Sequence, residues 1–93
     1  MNVGVAFAAG DSHSDMMEVA SVRLQMRIAK VIRRHRESTK MSQEAFADHI
    51  GMHRAQYSFV ERGKRDIRLS TLERVARGLE KPIWSLFREA EEG

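Results

Sequence analysis

No cysteine occurs among the 93 residues, so neither a disulfide framework nor a thiolate zinc site can be built. A cysteine-free chain suits a reducing compartment, and a cytoplasmic location is the expectation. Aromatic residues are few: one Trp, one Tyr and four Phe. No apolar run approaches the roughly 18 residues needed to cross a bilayer, and no membrane partner is expected. Basic residues are missing from the first 20 positions, which hold Asp11, Asp15 and Glu18 but no Lys or Arg. The stretch VGVAFAA therefore lacks the basic flank of a secretory signal, and it is too short to be one. The single proline, Pro82, stands where a helix can begin.

All 16 Lys and Arg residues fall after residue 20, together with most of the acids. The formal net charge is only +3, but this segregation makes the body of the chain more basic than the total indicates. A small basic domain fits a polyanionic partner. The length accommodates one hydrophobic core and no second. Residues 1–16 show no sustained helical or strand period and are expected to form a flexible tail, with the domain at 17–93. Met16 or Met17 is a candidate biological start, and alternation of Val3, Val5 and Phe7 offers a short edge strand as the other reading.

Helical spacing dominates thereafter. Leu24, Ile28, Val31, Ile32 and His35 share one face of a first helix running from residue 17 or 21 to 38. Ser42 can cap a second helix over 42–49, with Glu44 in its first turn on the side the dipole favours. Phe46, Ala47 and Ile50 form its apolar face, and Gly51 stops it by adopting a left-handed conformation. Met52, Tyr57 and Val60 supply the face of a third helix over 53–62, ended by Gly63. A fourth helix over 69–79 buries Leu72, Val75, Ala76 and Leu79, and a fifth starts at Pro82 and presents Ile83, Leu86 and Phe87 before EAEEG frays. Five helices with short connections and no strand pattern make an all-α domain. Ala47, four residues before Gly51, lets two helices cross closely, so residues 42–65 read as a helix-turn-helix, the unit that lays its second helix in the DNA major groove.

From residue 28 to residue 87 the chain resembles the phage-repressor and Cro-like helix-turn-helix family, also called XRE-like. The residues that carry the resemblance are Ile32 and Arg36, then Ser42-Gln43-Glu44, Phe46-Ala47, Ile50-Gly51, Ser58 and Val60-Glu61-Arg62-Gly63-Lys64-Arg65, then Leu69, Leu72, Val75-Ala76, Leu79 and Leu86-Phe87. The segment ERGKRDIRLSTLERVARGL leans toward the small stand-alone controllers of restriction-modification genes. The resemblance implies a five-helix, lambda-repressor-like domain and a sequence-specific, DNA-binding transcriptional regulator. It would act as a homodimer on an inverted repeat in double-stranded DNA.

Site residues follow from that resemblance. Base-contacting positions fall on Arg54, Ala55 and Phe59, with Gln56 and Ser58 beside them. Arg54 is the strongest candidate, because a guanidinium can bond guanine O6 and N7 together. Phosphate is expected at Gln43, His53, Arg62, Lys64 and Arg65, where a helix N-terminus and cations meet the backbone. Arg36 and Glu61 are expected to form a structural ion pair, and Ile83, Trp84, Leu86 and Phe87 to form the dimer interface. Arg68 stands where the family often has a capping Ser, which leaves Asp66, Ser70 or no residue to cap the fourth helix.

Other chemistry finds no support in the pattern. His49 and His53 are four apart, but Gly51 interrupts their face and no third ligand is spaced to complete a metal site. His35 is expected to be a semi-buried packing residue. No catalytic set, phosphate loop or paired carboxylate emerges, so neither enzymatic activity nor a cofactor is expected. The alternative reading is an antitoxin-type module that binds a toxin or other protein and represses its own promoter.

Overall fold

The computed structural model describes the backbone of residues 8–63 and 66–93, and the side chains of these from Arg23 onward. Five helices run in order: α1 (Ala8–Ser38), α2 (Gln43–His49), α3 (Arg54–Arg62), α4 (Leu69–Gly78) and α5 (Ile83–Glu92). The described residues contain no strand. Ala8, where α1 begins, lies upstream of the expected Met17, so the backbone is helical over part of the segment read as a tail. Residues 8–16, AAGDSHSDM, carry no apolar stripe, and Gly, Asp, Ser and His are weak helix formers, so neither periodicity nor propensity marks this part of α1. The edge-strand reading of Val3, Val5 and Phe7 lies outside the described residues.

Ile28, Val31 and Ile32 on α1, Phe46 and Ala47 on α2, and Tyr57 and Val60 on α3 are all buried. Leu72, Val75, Ala76 and Leu79 from α4 and its end, with Leu86 and Ala90 of α5, complete one contiguous core. Each large apolar side chain buried this way contributes about 1.5–3 kcal/mol. The Phe46 and Tyr57 rings meet at 5.2 Å between centroids and 54° between planes, the tilted arrangement aromatic pairs prefer. Leu24, expected on the buried face, is exposed, as is Leu69.

Helix ends follow their chemistry. The Ser42 hydroxyl accepts the Ala45 N–H at 3.0 Å, the expected cap of α2. At the other end Gly51 has φ +66, its N–H donates to Asp48 O at 3.1 Å, and Met52 N–H donates to Ala47 O at 2.8 Å. This paired closure turns the chain sharply and drops buried Met52 back onto the core. Neither α3 nor α4 has a side-chain cap at its N-cap residue, His53 or Arg68. Asp66, considered as a cap for α4, instead accepts from Gln25 Nε2 at 2.6 Å.

Two expectations for the last helix change. Pro82 is the extended N-cap residue (ψ 142°) and not the first helical position. The C-terminal stretch does not fray: α5 continues to Glu92, held by buried Ala90 and an Arg88–Glu92 pair at 3.1 Å. Glu89 fastens α5 to α1. Its Oε2 lies 2.7 Å from His35 Nε2 and its Oε1 accepts from Arg34 Nη2 at 3.1 Å. The His35 hydrogen bond leads the interactions that hold the Glu89 carboxyl below its usual range. His35 is thus a polar tie between helices as well as a packing residue.

Candidate nucleic-acid interface

The closure at Gly51 sets α3 across α2 and leaves one side of α3 facing outward. Tyr57 and Val60 turn in, while Arg54, Ala55, Gln56 and Phe59 are exposed and Ser58 is half-buried. The five candidate readers therefore occupy one neighbourhood on α3. Arg54 Nη1 donates to Glu44 Oε2 of α2 at 2.9 Å. The Arg62 guanidinium stacks over the Phe59 ring, 5.3 Å from its centroid, so the phenylalanine carries a cation on its face. His53 is exposed at the N-cap of α3. Lys64 and Arg65 lie outside the described residues.

Beneath this face a buried polar hub holds the helices together. The Glu61 side chain is only 2% exposed. Its Oε2 accepts from Arg36 Nε at 2.6 Å and from the Tyr57 hydroxyl, and its Oε1 accepts from Arg36 Nη2 at 3.1 Å and Gln43 Nε2 at 2.9 Å. Arg36 Nη1 donates to Met41 O at 2.8 Å. The expected Arg36–Glu61 pair is thus geometrically present and bidentate, joining α1 to α3. Burial alone would raise the Glu61 carboxyl. The hydrogen bonds from Arg36, Tyr57 and Gln43 outweigh it and hold the group below its usual range. Burial, followed by the bond to Glu61, pushes the Tyr57 hydroxyl well above its ordinary value. Hydrogen bonding to Glu61 raises Arg36 further.

Several of these partners were not anticipated from sequence. Gln43, assigned to phosphate, spends one amide donor on Glu61, so its side chain is fixed at the α2 N-terminus before any ligand arrives. Tyr57 and Glu61 are four apart on α3, and that spacing was the available signal for their contact. Arg74 Nη1 reaches the Gly51 carbonyl at 3.3 Å, a link no local pattern predicts.

The residues assigned to a dimer interface divide. Leu86 is 1% exposed and belongs to the domain's own core, because it occupies the inward stripe of α5. Ile83 and Phe87 are half-buried, and Trp84 is 60% exposed. Among the described residues no group of three His, Asp or Glu side chains is placed to hold a metal ion, and no helix is long and apolar enough to cross a membrane.

Comparison with known proteins bears on this geometry. Residues 32–83 match the helix-turn-helix family HTH_3. The control protein C.MunI of Mycoplasma sp is 39% identical over 62 residues, spanning 67% of this chain and 84% of that protein. A hypothetical transcription factor, NHTF, from Neisseria superposes with a TM-score of 0.66 at 32% identity, covering 70% of this chain and 73% of that one. A point mutant of the restriction-modification controller protein C.Esp1396I superposes with a TM-score of 0.67 at 29% identity, covering 74% and 92% respectively.

Proposed function

Because the chain belongs to the helix-turn-helix family HTH_3, whose members are DNA-binding transcription regulators and not enzymes, we propose that it binds an inverted-repeat operator as a homodimer, each α3 entering a major groove. The observation that carries this reading is the outward face of α3: Arg54, Ala55, Gln56 and Phe59 lie together and exposed, held on a polar hub that ties α3 to α1 and α2. Arg54 reads a guanine, the Ala55 methyl and the Phe59 ring meet thymine methyls, and Gln56 and Ser58 supply further polar contacts. Gln43, His53, Arg62, Lys64 and Arg65 grip phosphate, giving affinity and register rather than sequence choice. The likeness to a restriction-modification controller and to a control protein supports a role as a controller of restriction-modification genes.

A single α3 reads few base pairs, and pairing two copies supplies the rest. Trp84 is the best-supplied anchor for that pairing, a large aromatic surface exposed on α5 between half-buried Ile83 and Phe87. Trp84→Ala is expected to weaken dimerisation about 30-fold with little change in Tm, measured by sedimentation velocity across concentrations. An unchanged dimer with a lowered Tm would mean that Trp84 covers only its own core.

Selection of bound fragments from a random DNA pool tests the whole reading. The expected product is an inverted repeat with half-sites about 10–10.5 bp apart, centre to centre. Absence of any enriched sequence at low salt would refute it. Within that operator, Arg54→Ala is expected to cost about 1–3 kcal/mol and relax preference at one base pair. Lys64→Ala should weaken all sequences alike and lower the slope of log affinity against log salt by about 1. Identical profiles for the two variants would contradict the division between reader and phosphate clamp.

A further inference from the structure

Glu44 is an anomalous charge at a surface meant for a polyanion. In the first turn of α2 the helix dipole favours it, yet it neighbours Gln43, the residue assigned to phosphate, where a negative charge opposes DNA. Its carboxylate is committed elsewhere: Oε2 accepts from Arg54 Nη1 at 2.9 Å. The exposed pairs Arg33–Glu37, Arg77–Glu73 and Arg88–Glu92 each sit one turn apart on a single helix. Glu44–Arg54 instead crosses from α2 to α3, joining the two helices of the motif. With its side chains 63% and 72% exposed, this pair adds little to folding.

Geometry gives the pair a different use. A guanidinium carries five N–H donors in a planar fork, and Glu44 engages it at Nη1. Donors remain on the fork for two parallel bonds to guanine O6 and N7. A carboxylate holding one edge of the plane restricts a long, rotamer-rich side chain before the base arrives, which lowers the ordering cost of binding. It also offsets the repulsion Glu44 would otherwise exert on phosphate. We infer that Glu44 is a positioning residue that orients the Arg54 guanidinium for guanine and so fixes base preference in the half-site. This role rests on the reading of Arg54 as a base contact.

The test uses the full chain and three duplexes: the selected operator, the operator with the guanine pair at the Arg54 position changed to A·T, and an unrelated sequence. Arg54→Ala should lose roughly 10- to 100-fold of the discrimination between the first two. Glu44→Ala should lose about 3- to 10-fold of the same ratio, part of what the bidentate contact supplies, with an unchanged melting temperature. Glu44→Gln keeps an acceptor oxygen at the same place and should retain most of the discrimination. In the double variant, Glu44→Ala should have no further effect on the ratio. If Glu44→Ala instead leaves the ratio intact and raises affinity for all three duplexes alike, Glu44 is only a repulsive charge and the positioning role is wrong. If Arg54→Ala itself leaves the ratio intact, the base-reading assignment fails and the positioning role falls with it.

Discussion

Arg36→Ala is expected to destabilise the domain by about 3–5 kcal/mol, because it strips a buried carboxylate of its cation. Glu61 is nearly sealed from solvent and receives two of its hydrogen bonds from Arg36. Without them the charge keeps only the Tyr57 hydroxyl and the Gln43 amide, and the Met41 carbonyl loses its donor as well. Small domains have only about 5–15 kcal/mol in hand, so Tm should fall by at least about 12 °C in a circular-dichroism melt. DNA binding would fall too, through loss of the folded state. Retention of the wild-type Tm with lost affinity would make Arg36 a DNA contact and not a structural residue.

The same hub sets a pH dependence whose sign is fixed by Glu61. Its folded pKa lies below the ordinary value of 4.5, so the folded state holds the charged form more tightly than the unfolded chain does. That stabilisation is complete above pH 4.5 and is lost as pH falls through the lowered folded value. Glu61→Gln should therefore be less stable than wild type at neutral pH, with the gap closing in acid. A gap that stays constant from neutral pH to about pH 3 would contradict this assignment.

Gly63→Ala is the second large effect, expected to cost about 2–5 kcal/mol. Gly63 ends α3 with φ +63, a left-handed conformation that penalises a side chain by about 1–2 kcal/mol. Space is the harder limit: an added Cβ would lie 2.9 Å from the Met26 Cα and 3.1 Å from the Gln25 carbonyl oxygen. Both are backbone atoms of α1, so no rotamer change relieves the overlap, and overpacking of this kind costs about 1–3 kcal/mol more. Gly51 is the matched control. It has a similar φ of +66, but an added Cβ meets nothing within 4 Å, so Gly51→Ala should show the strain cost alone. Equal losses in the two variants, compared by urea denaturation, would show that the contact with α1 contributes nothing.

Much of the fold was legible because helices advertise themselves locally. Ser42, Phe46-Ala47 and Gly51 specify a capped helix, a buried face and a stop within ten residues, and each behaves as its chemistry dictates. The errors arose where local pattern does not set the boundary. α1 reaches back to Ala8 through residues marked neither by an apolar stripe nor by strong helix propensity, and burial of Ala90 with the Glu89 tie carries α5 through residues whose composition reads as a fraying end.

The candidate site divides along the same line. The resemblance implied that Arg54, Ala55 and Phe59 face outward on α3, with Gln56 and Ser58 beside them. By itself, the sequence determined that five amphipathic helices form, that two of them meet at Gly51, and that Tyr57 and Val60 share an inward face. Those are consequences of a 3.6-residue period and glycine geometry. Only the tertiary structure decided that Gln43 and Tyr57 join Arg36 on the Glu61 carboxylate, that Glu44 holds Arg54, and that Leu86 turns into the core while Trp84 stands out. Apart from Tyr57 and Glu61, one turn apart on α3, such contacts join residues on different helices, and their existence depends on how the helices cross, which hydrophobic spacing does not encode.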